Sequence, residues 1–150
     1  LSGAYCLLAA ARHFGLAEAS LGSPLAALRD HDMRAVRSGL ELREVKVMAK
    51  ELSLAADTRR TGNPQEANAL ALCTVRTDLV DPRGSELGFE GTRIVIVLER
   101  HEGVGSYTVV ADPHPWLPPV YAVWTETLEA WKQRTGAVNE LWISAPSARS

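Results

Sequence analysis

Residues 92–113 read TRIVIVLERHEGVGSYTVVADP, and the fold turns on how this stretch divides. RIVIVLERH (93–101) and SYTVVAD (106–112) are short, rich in Val, Ile and Thr, and separated by residues 102–105, which include Gly103 and Gly105. β-Branched side chains crowd a helix but pack well on a pleated surface, and a short Gly-containing connection suits a hairpin. The two segments are therefore expected to pair as antiparallel strands.

Working outward, PHPWLPP (113–119) cannot be a central strand, because its prolines donate no backbone hydrogen bond. It reads as a stiff loop leading to a short strand at Tyr121–Trp124. Thr125 is placed to cap a short helix carrying Leu128, Trp131 and Lys132 and ending near Gly136, and Glu140–Ala145 reads as a last strand. Upstream, LAADTRR (54–60) and ALCTVRTD (71–78) have the same strand character, and Asp78–Gly91 is the longest stretch without a pattern.

Before residue 54 the period changes. Ala4, Leu7, Leu8, Ala11 and Phe14 recur at helical spacing after Ser2 and stop at Gly15. Ser23-Pro24 opens a second helix through Leu25 and Leu28 towards Val36, with Gly39 ending that region. Leu42, Val45, Val47, Met48 and Leu52 mark a third, over 41–52, with Lys46, Lys50 and Glu51 outward. Helices first and strands afterwards predict an α+β fold, and 150 residues suit one domain over 1–150. Residue 1 is Leu and a helix begins almost at once, so the natural protein is expected to extend further upstream.

Composition excludes several classes. Sixteen basic against eighteen acidic residues leave a net charge of -2, and no basic stripe with interleaved aromatics could follow a phosphate backbone, so nucleic acid is not an expected partner. The longest apolar runs, Ala4–Ala11 and Ile94–Leu98, fall far short of the roughly 20 residues of a membrane span. Cys6 and Cys73 have no Cys or His neighbour at metal-ligand spacing, so neither a metal nor another cofactor is expected. Both read as buried free thiols, which favours a reducing, cytoplasmic setting. Of the tryptophans, Trp124, Trp131 and Trp142 sit at apolar positions of elements and are expected in the core. Trp116, between prolines, either packs over the sheet edge or stands out as a binding platform.

The first helix opens at Leu1-Ser2-Gly3-Ala4-Tyr5-Cys6-Leu7, and the second strand of the hairpin closes on Asp112-Pro113. With helices preceding an antiparallel sheet, these features resemble the papain-like cysteine peptidases, most closely the domain that trims double-glycine leaders from bacteriocins and is attached to an export transporter. The resemblance runs in order from Ser2 to Ser144. It implies a papain-like fold with N-terminal helices packed on an antiparallel sheet. The family's nucleophilic Cys, in an Asp-Cys-Gly pattern, corresponds to Ser2. Its base, a His opening a strand, falls at Thr92 or Arg93, and its orienting Asp is Asp112. Peptide contacts are implied at Gly3, Tyr5 and Trp116.

A helix N-terminus lowers a thiol's pKa through its orphan N–H groups and dipole, but a serine there needs a base to take its proton. Neither Thr92 nor Arg93 accepts a proton near neutral pH. His101, at the far end of its strand, lies roughly 30 Å from Thr92, at about 3.3 Å per residue. His114 follows Asp112 on the proline-rich loop, His13 lies in a helix interior beside Phe14, and His31 has no evident partner. The family's oxyanion-hole Gln would precede Leu1. Three readings stay open: a degenerate domain that binds a peptide or leader segment without cleaving it, an active thiol hydrolase or acyltransferase seen with Ser2 in place of Cys, and a structural domain.

The isolated protein is accordingly expected not to hydrolyse peptides or esters, since it lacks the about 10²- to 10⁴-fold that a positioned base supplies. Turnover that disappears in Ser2→Ala would overturn this.

Overall fold

A computed structural model of the chain describes residues 2–16, 41–60, 62–80, 91–113 and 119–146. The expected second helix, His31, His114 and Trp116 lie outside the described residues, as does the side chain of Ser2.

Helix α1 spans Ser2–His13, an Ala- and Leu-rich run with no β-branched residue. It ends where Gly15 takes φ +92°, and Gly15 N–H and Leu16 N–H return to the Arg12 and Ala11 carbonyls at 3.1 and 3.0 Å. That pair of bonds is the glycine-terminated Schellman end expected from the sequence. Helix α2 covers Leu42–Glu51, and the Glu44 carboxylate reaches back to accept the Glu41 backbone N–H at 3.3 Å.

Among the described residues six strands follow: β1 (Ala55–Arg59), β2 (Ala69–Arg76), β3 (Thr92–His101), β4 (Tyr107–Ala111), β5 (Val120–Trp124) and, after helix α3 (Thr125–Gln133), β6 (Glu140–Ser144). They form one sheet in the order β1-β6-β2-β3-β4-β5, every neighbouring pair antiparallel. The fold is α+β, and among the described residues no helix is long and apolar enough to cross a membrane.

Period-two alternation sorts the strand residues between two apolar layers. On the front, α1 and α2 bury Leu7, Ala10, Val45 and Met48 against Leu70, Leu72, Ile94, Ile96, Leu141 and Ile143. On the back, α3 sets Leu128 and Trp131 against Ala71, Cys73, Val75, Val95, Val97, Val110 and Trp142. Each fully buried Leu or Ile contributes about 1.5–3 kcal/mol, so both faces hold the sheet.

The alternation breaks once. Between Val97 and Glu99 the β3–β4 register shifts, so Val97 faces Val110 and Glu99 faces Val109, with Leu98 the extra residue. Strict alternation after Ile94, Ile96 and Leu98 would put Arg100 on the front. The bulge puts it on the back and turns His101 to the front beside Tyr107.

On the back, the wholly buried Glu140 carboxylate gathers its donors. Lys132 Nζ reaches Oε2 at 2.7 Å, Arg100 Nη1 reaches Oε1 at 3.0 Å while Nη2 binds Oε2, and Trp142 Nε1–H donates to Oε1 at 3.1 Å. Arg100 Nη1 also donates to the Gly62 carbonyl at 2.7 Å, and Lys132 to Glu129 at 3.2 Å. One carboxylate thus ties α3, β3, β6 and the segment before β2 together.

Three expectations are corrected. Trp124, expected in the core, is 59% exposed, because its place in β5 points to the front, where neither α1 nor α2 covers it. Thr125 does not cap α3: it is the first helical residue, and its hydroxyl meets Thr108 Oγ1 at 2.9 Å. Asp78 does not extend strand β2, since Thr77–Val80 forms a helical turn, while residues 81–90 of the stretch without a pattern lie outside the described residues.

Removing the central charge deprives buried Lys132 and largely buried Arg100 of their shared counter-ion, so Glu140→Gln should lower stability by about 3–5 kcal/mol in urea unfolding. Burial by itself pushes the Glu140 carboxyl up, but the Arg100 and Lys132 hydrogen bonds and charges outweigh it and hold the pKa below its ordinary 4.5. The carboxylate therefore stabilises the fold fully above that value, and the contribution disappears as pH falls through the lower folded pKa. The acid-side loss should be smaller in Glu140→Gln than in wild type.

Candidate functional site

Of the residues singled out by sequence, Thr92, Arg93 and Asp112 lie where β3 starts and β4 ends. Gly91, at φ +120°, leads into β3, and its carbonyl accepts the Thr77 N–H at 2.9 Å, fixing where the strand begins. From there, alternation separates the two candidates for the base position. Thr92 shares the parity of Ile94 and Ile96 and so belongs to the front, the side of α1, where it is exposed. Arg93 shares the parity of Val95 and Val97, stands opposite Val75 of β2, and is buried on the back.

Asp112 follows β4 directly, and its N–H donates to the Pro119 carbonyl at 2.9 Å. Its buried carboxylate takes the Arg93 guanidinium through Nη2 and the Tyr121 hydroxyl at 2.6 Å, both on Oδ2. Burial first, then the hydrogen bond and negative charge of Asp112, push the Tyr121 phenol well up, so it remains a donor. Asp112 is thus occupied by a cation and a phenol. Two further Arg93 donors, Nε and Nη1, are buried with no partner among the described residues. Asp112 already balances the guanidinium charge, so these N–H groups suit a neutral acceptor such as a carbonyl oxygen better than a second anion.

Around the helix, Gly3 is buried in the first turn of α1 and Tyr5 is 56% exposed. Cys6 points into the front layer, where its thiol donates to the Ile94 carbonyl at 3.5 Å. Burial, reinforced by the Asp112 charge, pushes it up to about 12. Cys73, fully buried on the back, is driven up by burial and by Glu140. Neither is a thiolate near neutral pH. Among the described residues no group of three or more His, Cys, Asp or Glu side chains is placed to hold a metal ion.

A second feature went unread in the sequence. His101 and Tyr107 stack at 4.5 Å with their rings 15° apart, and Tyr107 stands opposite Trp124 in the β4–β5 register. Trp124 leans on Gly105, where a Cβ would come within 3.1 Å of its ring and where φ is +80°. Three aromatic rings therefore cross β3, β4 and β5 in one row on the front. Beyond them, Ala122 and the 51%-exposed Val120 continue an uncovered apolar surface to the end of the sheet. The bulge at Leu98, which turns His101 to this side, could not be read from the strand's composition.

No protein-family model matches the chain, and no curated protein matches it. The geometry places position 92 on the front and position 93 on the back.

It also makes a restoration experiment specific. In Ser2→Cys, adding Thr92→His should move the alkylation profile of the new thiol to lower pH, because an imidazole on the front can share its proton with a thiolate. Arg93→His should leave that profile where Ser2→Cys alone puts it, since position 93 faces the back. Iodoacetamide kinetics against pH measure both, with Cys6 and Cys73 expected to stay unmodified in the folded protein.

Proposed function

We propose that this is a degenerate papain-like peptidase domain that grips an extended apolar peptide or leader segment without cutting it. The observation that carries the reading is the uncovered front of β4 and β5, with its row of His101, Tyr107 and Trp124 and the adjoining Val120 and Ala122. Monomeric domains bury such surface, and rigid aromatics with few rotors bind at low entropic cost, which is why they anchor peptide contacts. An extended segment laid over this shelf sets alternate side chains against it.

The absence of cleavage rests on separate features. Thr92 and Arg93 offer no base, Asp112 is engaged by Arg93 and Tyr121, and Cys6 is held as a thiol by burial. What the papain-like resemblance adds is a groove beside the first helix, where Tyr5 is exposed. A shelf and groove without a working nucleophile and base favour retention of a peptide over turnover.

Fluorescence anisotropy with labelled apolar peptides should detect saturable binding, and mass spectrometry should recover the peptide intact. Trp124→Ala and Tyr107→Ala should each weaken binding by about 10- to 100-fold, the cost of losing an aromatic anchor. Binding that neither substitution changes, or cleavage of the bound peptide, would reject the reading.

A further inference from the structure

Strand β5 ends the sheet, and among the described residues nothing pairs with its outer edge. Two hydrogen bonds show how its backbone is turned. The Pro119 carbonyl accepts Asp112 N–H at 2.9 Å, and Thr125 N–H donates to the Ser106 carbonyl at 3.0 Å. Successive residues of a strand direct their N–H and C=O to opposite sides, so Pro119, Tyr121, Val123 and Thr125 address β4. Val120, Ala122 and Trp124 then present both groups outward.

The two ends of the sheet differ in how they are guarded. At the other end, β1 sets exposed Asp57 and Arg59 along its length, the charged protection that keeps edges from pairing. From Val120 to Trp124 there is neither a charge nor a proline. Val120 and Trp124 are also among the most exposed large apolar side chains of the described residues.

We propose that β5 pairs with β5 of a second copy of this chain, antiparallel, about a two-fold axis through Ala122. In that register Ala122 stands opposite the partner's Ala122, and Val120 opposite the partner's Trp124. All three outward-facing positions are used, each opposed pair exchanging two backbone hydrogen bonds. A second copy is the occupant whose chemistry the edge itself supplies. An uncharged strand meeting itself brings no like charges together, the large Trp124 meets the smaller Val120, and the smallest side chain lies on the axis, where two bulky ones would collide. Paired residues of a sheet share a face, so the apolar front surfaces of both copies become one strip along the junction. The inference rests on the edge geometry and is independent of peptide binding.

Sedimentation velocity over a concentration series tests it. Wild type should show a monomer–dimer equilibrium. Ala122→Pro removes an outward N–H that no described residue accepts, and Ala122→Lys places like charges on the axis. Each should raise the dimer dissociation constant by about tenfold or more while leaving the circular dichroism spectrum unchanged. Ala122→Cys should cross-link under oxidation, since opposed Cα atoms of such a pair lie about 5.5 Å apart, whereas Asp57→Cys at the guarded end should not. If Ala122→Pro perturbs the fold, Ala122→Lys and the cross-link still decide, because position 122 is exposed. A wild-type chain that stays monomeric at every concentration, a dimer that survives Ala122→Lys, or a β5 edge that takes an added extended peptide instead of its own copy would overturn the proposal.

Discussion

The back of the molecule is organised by one buried carboxylate. Glu140 sits at the first position of β6 with no exposure, between Lys132 of α3 and Arg100 of β3, and also takes the Trp142 indole N–H. An isolated charge there would cost several kcal/mol, so the helix, the strand and the Gly62 segment must all arrive in register for the group to be tolerated. Apolar contacts between α3 and the sheet would allow sliding. An ion with its donors filled from separate elements does not, and this gives α3 one position across β2, β4 and β5.

That arrangement depends on the bulge at Leu98. Without the extra residue, Arg100 would point to the front and leave Glu140 short of a bidentate partner, and His101 would be turned away from Tyr107. The same local irregularity therefore completes the buried ionic group on one side and the aromatic row on the other. Stability and the proposed binding surface are coupled through a single backbone feature.

At the candidate site, alternation settles which residues oppose each other across the sheet, and packing settles which side each one takes. That Thr92 and Arg93 face opposite sides follows from the strand period as soon as the strand is recognised. Their assignment to the helix side or the back follows only from the packing of α1 on β3. The Arg93–Asp112–Tyr121 cluster had weaker notice in the sequence: Asp112-Pro113 marked a position, but nothing in it signalled that a cation and a phenol would converge there. Lys132 gave a readable signal that composition obscures. It falls four residues after Leu128, on the apolar stripe of α3, where a charge must find a buried partner.

From sequence alone came the α+β class, the Gly15 end of α1, the extent of α2 and the β3–β4 hairpin. These depend on local causes: helical or two-residue periodicity, a glycine able to take positive φ, and prolines that cannot donate. Trp124 escaped it because burial is not a local property: the same residue is core if a helix crosses above it and exposed if the helix stops at the neighbouring strand. The strand order, the reversal at Leu98, the partners of Glu140 and Asp112 and the unguarded edge of β5 were likewise decided only by tertiary structure. Each is a meeting of residues tens of positions apart, fixed by how layers stack and by where buried charges find their counterparts, which no window of sequence contains.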